Sequence, residues 1–128
     1  MKPPFHRGNN GRRLWKVSTM NPKPGEVYWV DLGLKGKVRP LLIVSRQDDD
    51  AVRALAACVP LTTEIKGGKY EVPLPRVKFL PGNDRGVANV QGIAAVEHFR
   101  LGKRAGEFYP EVLAQVRDAP AYLLELGV

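Results

Sequence analysis

The stretch KVRPLLIVS, Lys37 to Ser45, constrains the fold more than any other part of the chain. Leu41, Leu42, Ile43 and Val44 follow one another with no polar residue between them. Such a run suits a strand covered on both faces, so whatever sheet it joins must be buried on both sides there. Pro40 pushes the residue before it towards extended geometry, which sets Arg39 at the mouth of that strand. Two readings of Arg39 stay open on these residues: a guanidinium held in place at the strand edge, and an ordinary surface charge. The second is the simpler.

The flanking sequence reads mostly as short strands. EVYWVDL (Glu26 to Leu32) is β-branched and aromatic, bounded by Pro24-Gly25 and the loop GLKGK. Tyr28 and Trp29 are neighbours, so alternation predicts one in the core and one exposed. The second strand spans Arg39 to Ser45. RQDDDAVRA is a turn or one helical turn, and LAACVPLTTEI (Leu55 to Ile65) a third strand in which Pro60 implies an edge or a bulge. KGGK turns into YEVPLP, whose two prolines demand edge character. RVKFLPGNDRG ends in a turn cluster. VANVQGIAAVEHF gives two further strand-like stretches split at Gly92, and RLGKRAGEF is a short basic stretch. The final segment, from Tyr109, is the one good helix, with Pro110 at its first position and Val112, Leu113 and Val116 at helical spacing. Pro120 should kink or split it. Many short strands with one C-terminal helix indicate a mainly β fold, a small, strongly bent antiparallel barrel capped by that helix.

With 128 residues the chain has room for one core and not for two ordinary domains. No apolar stretch approaches the roughly 18 residues that a bilayer span needs, and no signal-type segment follows the basic start, so a cytoplasmic location is the default. The single cysteine, Cys58, lies among Ala56, Ala57 and Val59 and reads as a small buried hydrophobe. The net charge of +7 is uneven. Residues 1–23 carry Lys2, Arg7, Arg12, Arg13, Lys16 and Lys23 with no acid, whereas 24–128 is nearly balanced. Residues 1–23 therefore read as a basic, disordered extension able to bind polyanions, ahead of one domain over 24–128. Met20 offers an alternative start, since MNPKPGEVYWVDL begins like a normal N-terminus.

The residues exclude several chemistries. His98 has no partner at ligand spacing, one cysteine cannot build a metal site, and Asp48, Asp49 and Asp50 fan out as a solvated turn, so neither a metal nor a cofactor is expected. There is no phosphate-cradling glycine loop and no serine-centred elbow. Thr62 and Thr63 remain, and taken alone they express strand propensity. Lys35 and Lys37 beside Arg39 make a basic lip able to steer phosphates, or equally a solvated hairpin tip.

PGEVYWVDL, VRPLLIVS, CVPLTTEIKG and GVANVQGIAAVEHFRLGKRAG, followed by a terminal helix, together resemble the MazF/PemK family of toxin endoribonucleases. The resemblance runs from about Pro24 to the C-terminus, in one order. It implies an SH3-like barrel that forms a homodimer and cleaves single-stranded RNA at short sequences without metal. It also implies a cognate antitoxin that silences the enzyme by laying a peptide over the RNA groove. By the same resemblance Arg39 and Thr62 are catalytic: the 2′-hydroxyl attacks the adjacent phosphorus, and the two side chains hold the oxygens where charge gathers. Lys35, Lys37, Thr63, Glu64 and Gln91 are the candidate substrate-binding residues.

Two features depart from the family. Many members carry Asp-Gln-Ile-Arg where this chain has Gln91-Gly92-Ile93-Ala94, and longer relatives place Glu, Gln or His in the loop before Arg-Pro. Gln91 cannot abstract a proton at neutral pH. Glu64 can, and strand alternation puts it on the face of Thr62. A binding module of the same fold that has lost catalysis, and a purely structural interaction domain, are the alternative readings. Base preference is expected to lie in loops 33–38, 47–53 and 64–70.

Overall fold

The computed structural model describes residues 21–33, 37–82 and 85–126. Most of the basic extension, Lys35 and part of the loop before Arg39 lie outside the described residues. Among the described residues there are seven strands and one helix: β1 (Glu26–Asp31), β2 (Val38–Ile43), β3 (Leu55–Thr62), β4 (Glu71–Pro73), β5 (Val87–Asn89), β6 (Ala94–Glu97), β7 (Leu101–Glu107) and α1 (Pro110–Leu123). Short 3₁₀ turns at Val90–Gly92 and His98–Arg100 separate β5 from β6 and β6 from β7.

The sheet runs in the order β4-β5-β3-β2-β1-β7, with β6 also paired to β3. Every ladder is antiparallel. No ladder joins its two ends among the described residues, so the sheet is curled rather than a closed barrel. Strand β3 keeps β2 along one edge and changes partner on the other: Leu55–Cys58 pair with β6, Leu61 and Thr62 with β5. Pro60 falls in the gap between those partners, where its missing N–H disrupts no ladder on that side. This is how a proline sits within a strand that is not at an edge.

The unalternating run in β2 has its explanation in two apolar clusters, one on each face. Leu42 and Val44 join Val27, Val59, Leu61, Ala88 and Val116 of α1. Leu41 and Ile43 join Tyr28, Val30, Cys58, Val96 and Leu101. The second cluster draws on β1, β2, β3, β6 and β7 together, so the sheet wraps round it. Full burial of each such aliphatic side chain contributes roughly 1.5–3 kcal/mol. The same two-sided cover overturns the expectation for Tyr28 and Trp29, which are both buried. Cys58 is 1% exposed, and burial pushes its thiol up to about 12.

Two further expectations need correction. RLGKRAGEF contains β7, not merely a basic stretch. Its glycines and charges give no strand signal; pairing with β1 supplies the conformation that local propensity does not. Gly106 within it admits Phe79, whose ring meets Phe108 edge-on at 5.3 Å. A Cβ on Gly106 would lie 2.3 Å from Phe79 Cγ. The helix, moreover, is not split at Pro120, which lies buried in its last turns. Arg117 Nε donates to Val44 O at 3.0 Å, tying α1 to the chain just beyond β2.

Strands β1 and β7 are also held by charge. Glu26, 8% exposed, accepts from Lys23 N at 2.7 Å, from Tyr28 Oη at 3.2 Å and from Arg104 Nε at 2.7 Å. Burial raises the Glu26 carboxyl, but the Lys23 N–H, Arg104 and Tyr28 outweigh it and hold the group below its usual 4.5. Burial, and then the Glu26 charge, push Tyr28 up to about 12.

A folded-state value below the unfolded one means that Glu26 stabilises the fold fully above pH 4.5, and that this contribution is lost as the pH falls through the lowered value. Urea midpoints measured down a pH series should therefore drop below pH 4.5, and Glu26→Gln should flatten that drop. Gly106→Ala should lower unfolding free energy by about 1–3 kcal/mol, read from urea denaturation, because the Phe79 ring has to move.

Candidate active site

The register of β2 on β3 pairs Ile43 with Cys58, Leu42 with Val59 and Leu41 with Pro60. Carried on by two residues, it sets Arg39 opposite Thr62. Residues directly opposite on antiparallel strands share a face, so the two side chains project from the same side of the sheet end. Burial fades along both strands towards this end: Leu41 is buried while Arg39 is exposed, and Leu61 is buried while Thr62 is half-buried. Arg39 is thus not pinned within the strand mouth. It makes no hydrogen bond or ion pair with a described residue, which leaves all five guanidinium N–H groups for a ligand.

Thr62 is oriented by the backbone that follows it. The Glu64 N–H donates to Thr62 Oγ1 at 3.0 Å. That bond occupies an acceptor lone pair and leaves the hydroxyl proton to be donated. Thr63 is exposed, one residue on. Lys37 is exposed at the start of β2, and its carbonyl accepts from Leu32 N at 3.3 Å, closing the β1–β2 loop.

A cleft of about 450 Å³ opens beside Thr62. It brings together Thr62, Glu64 and Gln91 of the sequence-predicted residues; Arg39 stands on the adjacent strand with Lys37 just ahead of that strand, and Thr63 does not line it. Tyr70, within the expected loop 64–70, lines the cleft as well, and so do Glu71 and Asn89, which were missed. Their positions come from β4 and β5 folding back on each other, where Glu71 pairs with Asn89. No local pattern announces that pairing. The Glu71 carboxylate accepts from Lys66 N at 3.1 Å and Gly67 N at 2.6 Å, fixing the rim. Lys69 Nζ donates to Tyr122 Oη at 3.1 Å and lies 4.9 Å from the Tyr122 ring centroid, so α1 holds the same loop from behind.

Of the loops expected to line a groove, 64–70 does so. Loop 47–53 stands at the opposite end of β2, where Gln47 lines a separate cleft with Lys23, Arg46 and Arg117. Asp48 Oδ1 accepts from Asp50 N at 2.9 Å, a solvated turn among the three acids. Among the described residues no three His, Cys, Asp or Glu side chains converge as metal ligands.

The sequence pattern of the PemK-like, MazF-like toxins of type II toxin–antitoxin systems matches residues 23–124. The chain belongs to that family. Its fold agrees. An endoribonuclease from a Mycobacterial species, solved in complex with its cognate antitoxin, superposes with a TM-score of 0.70 at 29% identity, over 84% of this chain and 98% of that one. A MazE–MazF complex from Deinococcus radiodurans gives 0.69 at 26% identity, over 84% and 99%. The Mycobacterium tuberculosis toxin MazF-mt6, at 20% identity and 0.65 over 80% and 99%, shares the fold. No curated protein sequence matches the chain.

Removing the carboxylate that fixes the cleft rim should loosen that rim alone. In Glu71→Ala, amide hydrogen exchange should quicken at Lys66 and Gly67 while β1–β3 keep their protection.

Proposed function

We propose that this chain is the toxin of a type II toxin–antitoxin pair and acts as a metal-independent, sequence-specific endoribonuclease on single-stranded RNA. The reading is carried by an exposed Arg39, which makes no hydrogen bond or ion pair with a described residue and lies two residues before Leu41, and by a Thr62 hydroxyl, preset as a donor by its backbone bond, two residues beyond the Pro60 that pairs with Leu41. Family membership supplies the reaction class.

The RNA 2′-oxygen attacks the adjacent phosphorus as the bond from phosphorus to the 5′-oxygen breaks. The products are a 2′,3′-cyclic phosphate and a 5′-hydroxyl, so the net proton transfer runs from the 2′-oxygen to the leaving 5′-oxygen. Charge grows on the nonbridging oxygens. Arg39, always protonated and planar, presents its N–H fork to them, and Thr62 adds one further donor. Lys37, with Lys35 in the same loop, draws in flanking phosphates. Thr63, Glu64 and Gln91 contact the strand beside the cut.

The enzyme works as a homodimer in the cytoplasm, within a domain over 24–128 preceded by the basic 1–23 extension. A cognate antitoxin peptide covers the groove. The solved relatives in complex with antitoxins support that partnership. Among the described residues no helix is long and apolar enough to cross a membrane.

With long single-stranded RNA in EDTA, the protein should give discrete cuts bearing 5′-hydroxyls. Arg39→Ala should abolish them with the circular-dichroism spectrum unchanged. Thr62→Ala should slow cleavage by about 10²–10³-fold, the cost of one oxyanion donor, and Thr62→Ser should restore most of the rate. RNA binding without any cut by wild type would instead mark a binding module that has lost catalysis, in keeping with Gln91 at the position of the family acid.

A further inference from the structure

The cleft beside Thr62 differs in charge from the strand that carries Arg39. Arg39 and Lys37 suit phosphate. The cleft sets Glu64 and Glu71 against one ammonium, Lys66, so a phosphate entering it meets net negative charge. Glu71 is committed to the Lys66 and Gly67 N–H groups of the rim. Among the described residues the Glu64 carboxylate has Lys66 as its partner, 3.5 Å away, with both side chains 76% exposed, an arrangement worth little in water. Its carboxylate oxygens therefore remain available to an uncharged ligand that carries donors.

The remaining lining fits a flat ligand of that kind. Asn89 and Gln91 bring amide donors and acceptors, and Tyr70 brings a half-buried ring. Gly92 keeps the backbone close: a Cβ there would lie 2.8 Å from Pro60 Cγ and 3.2 Å from Asn89 Nδ2. Any side chain at 92 would press on Asn89 and narrow the cleft. Its volume of about 450 Å³ is in the range of small-ligand sites.

We propose that this cleft is a nucleobase subsite that selects a base with an amino group on its pairing edge, guanine first, with Glu64 as the discriminating acceptor. The inference rests on the endoribonuclease reading for the identity of the ligand as RNA. Guanine presents its N1–H and its 2-amino group side by side, matching the two oxygens of one carboxylate. Cytosine and adenine offer one amino group each. Uracil sets its single N–H between two carbonyl oxygens, which the carboxylate repels. Asn89 and Gln91 complete the edge, and Gly92 holds the space.

The test uses the full chain carrying Arg39→Ala, so that RNA is bound and not cut. Fluorescence anisotropy compares short labelled uridine strands holding one central guanosine, one inosine (which lacks the 2-amino group) or neither. The guanosine strand should bind about tenfold more tightly than all-uridine, within the discrimination that a good bidentate base contact gives, with inosine between them. Adding Glu64→Gln should abolish the preference, so that guanosine, inosine and all-uridine strands bind alike. Equal affinity for all three strands overturns the subsite, as does a guanosine preference that survives Glu64→Gln. So does a Glu64→Gln enzyme, with Arg39 intact, that loses cleavage while its base preference stands, since Glu64 would then serve as a proton acceptor. If no strand binds and wild type makes no cuts, the endoribonuclease reading falls and the subsite with it; binding without preference removes the subsite alone.

Discussion

Burial of β2 on both faces is the constraint from which the rest of the structure follows. Leu42 and Val44 face the cluster that α1 covers, and Leu41 and Ile43 face the one round which the sheet wraps. A strand used twice in this way cannot slip by one residue, because a slip would exchange its two sets of partners. Its register on β3 is thereby fixed. With it is fixed the position of everything that projects beyond the buried part.

The candidate active site is the end of that register. Two residues past Leu41 and Pro60, where the ladder of β2 on β3 ends, the two strands run out of the core at Arg39 and Thr62. The hydroxyl is preset by the Glu64 N–H, and the guanidinium has no competing acid among the described residues. Rigid strands carry the groups that need accurate placement, which favours stabilisation of developing charge without reorganisation. The cleft next to them is built differently. Its rim is a loop fixed by Glu71 and gripped by Tyr122, so its shape can vary without disturbing the β2–β3 alignment. In the reading proposed above, catalysis and base selection rest on separable parts of the fold.

Gln91 and Gly92 fall within this second part. They lie in the 3₁₀ turn that follows β5, against Pro60. At these positions the chain places an amide and a residue with no side chain. The acidic function in the cleft belongs here to Glu64 and Glu71, which reach it from the β3–β4 loop and from β4.

The sequence alone determined the two-sided strand at 41–44, the first three strands to within a few residues, the helix from Pro110, the buried thiol of Cys58 and, through ordered motifs, the family. Each follows from a strong local signal: an unbroken apolar run, β-branched residues between turn formers, or a proline at a helix start. Tertiary structure decided the rest. Strand β7 exists because β1 offers it a ladder and Glu26 a partner for Arg104, although LGKRAGE has no strand preference of its own. Tyr28 and Trp29 are both buried because the sheet has two covered faces, which alternation within one strand cannot reveal. Asn89, Tyr70 and Glu71 meet Thr62 only through the pairing of β4 with β5 and of β5 with β3. Contacts between segments distant in sequence depend on how the sheet curls, and that is set by the sum of the packing rather than by any single stretch.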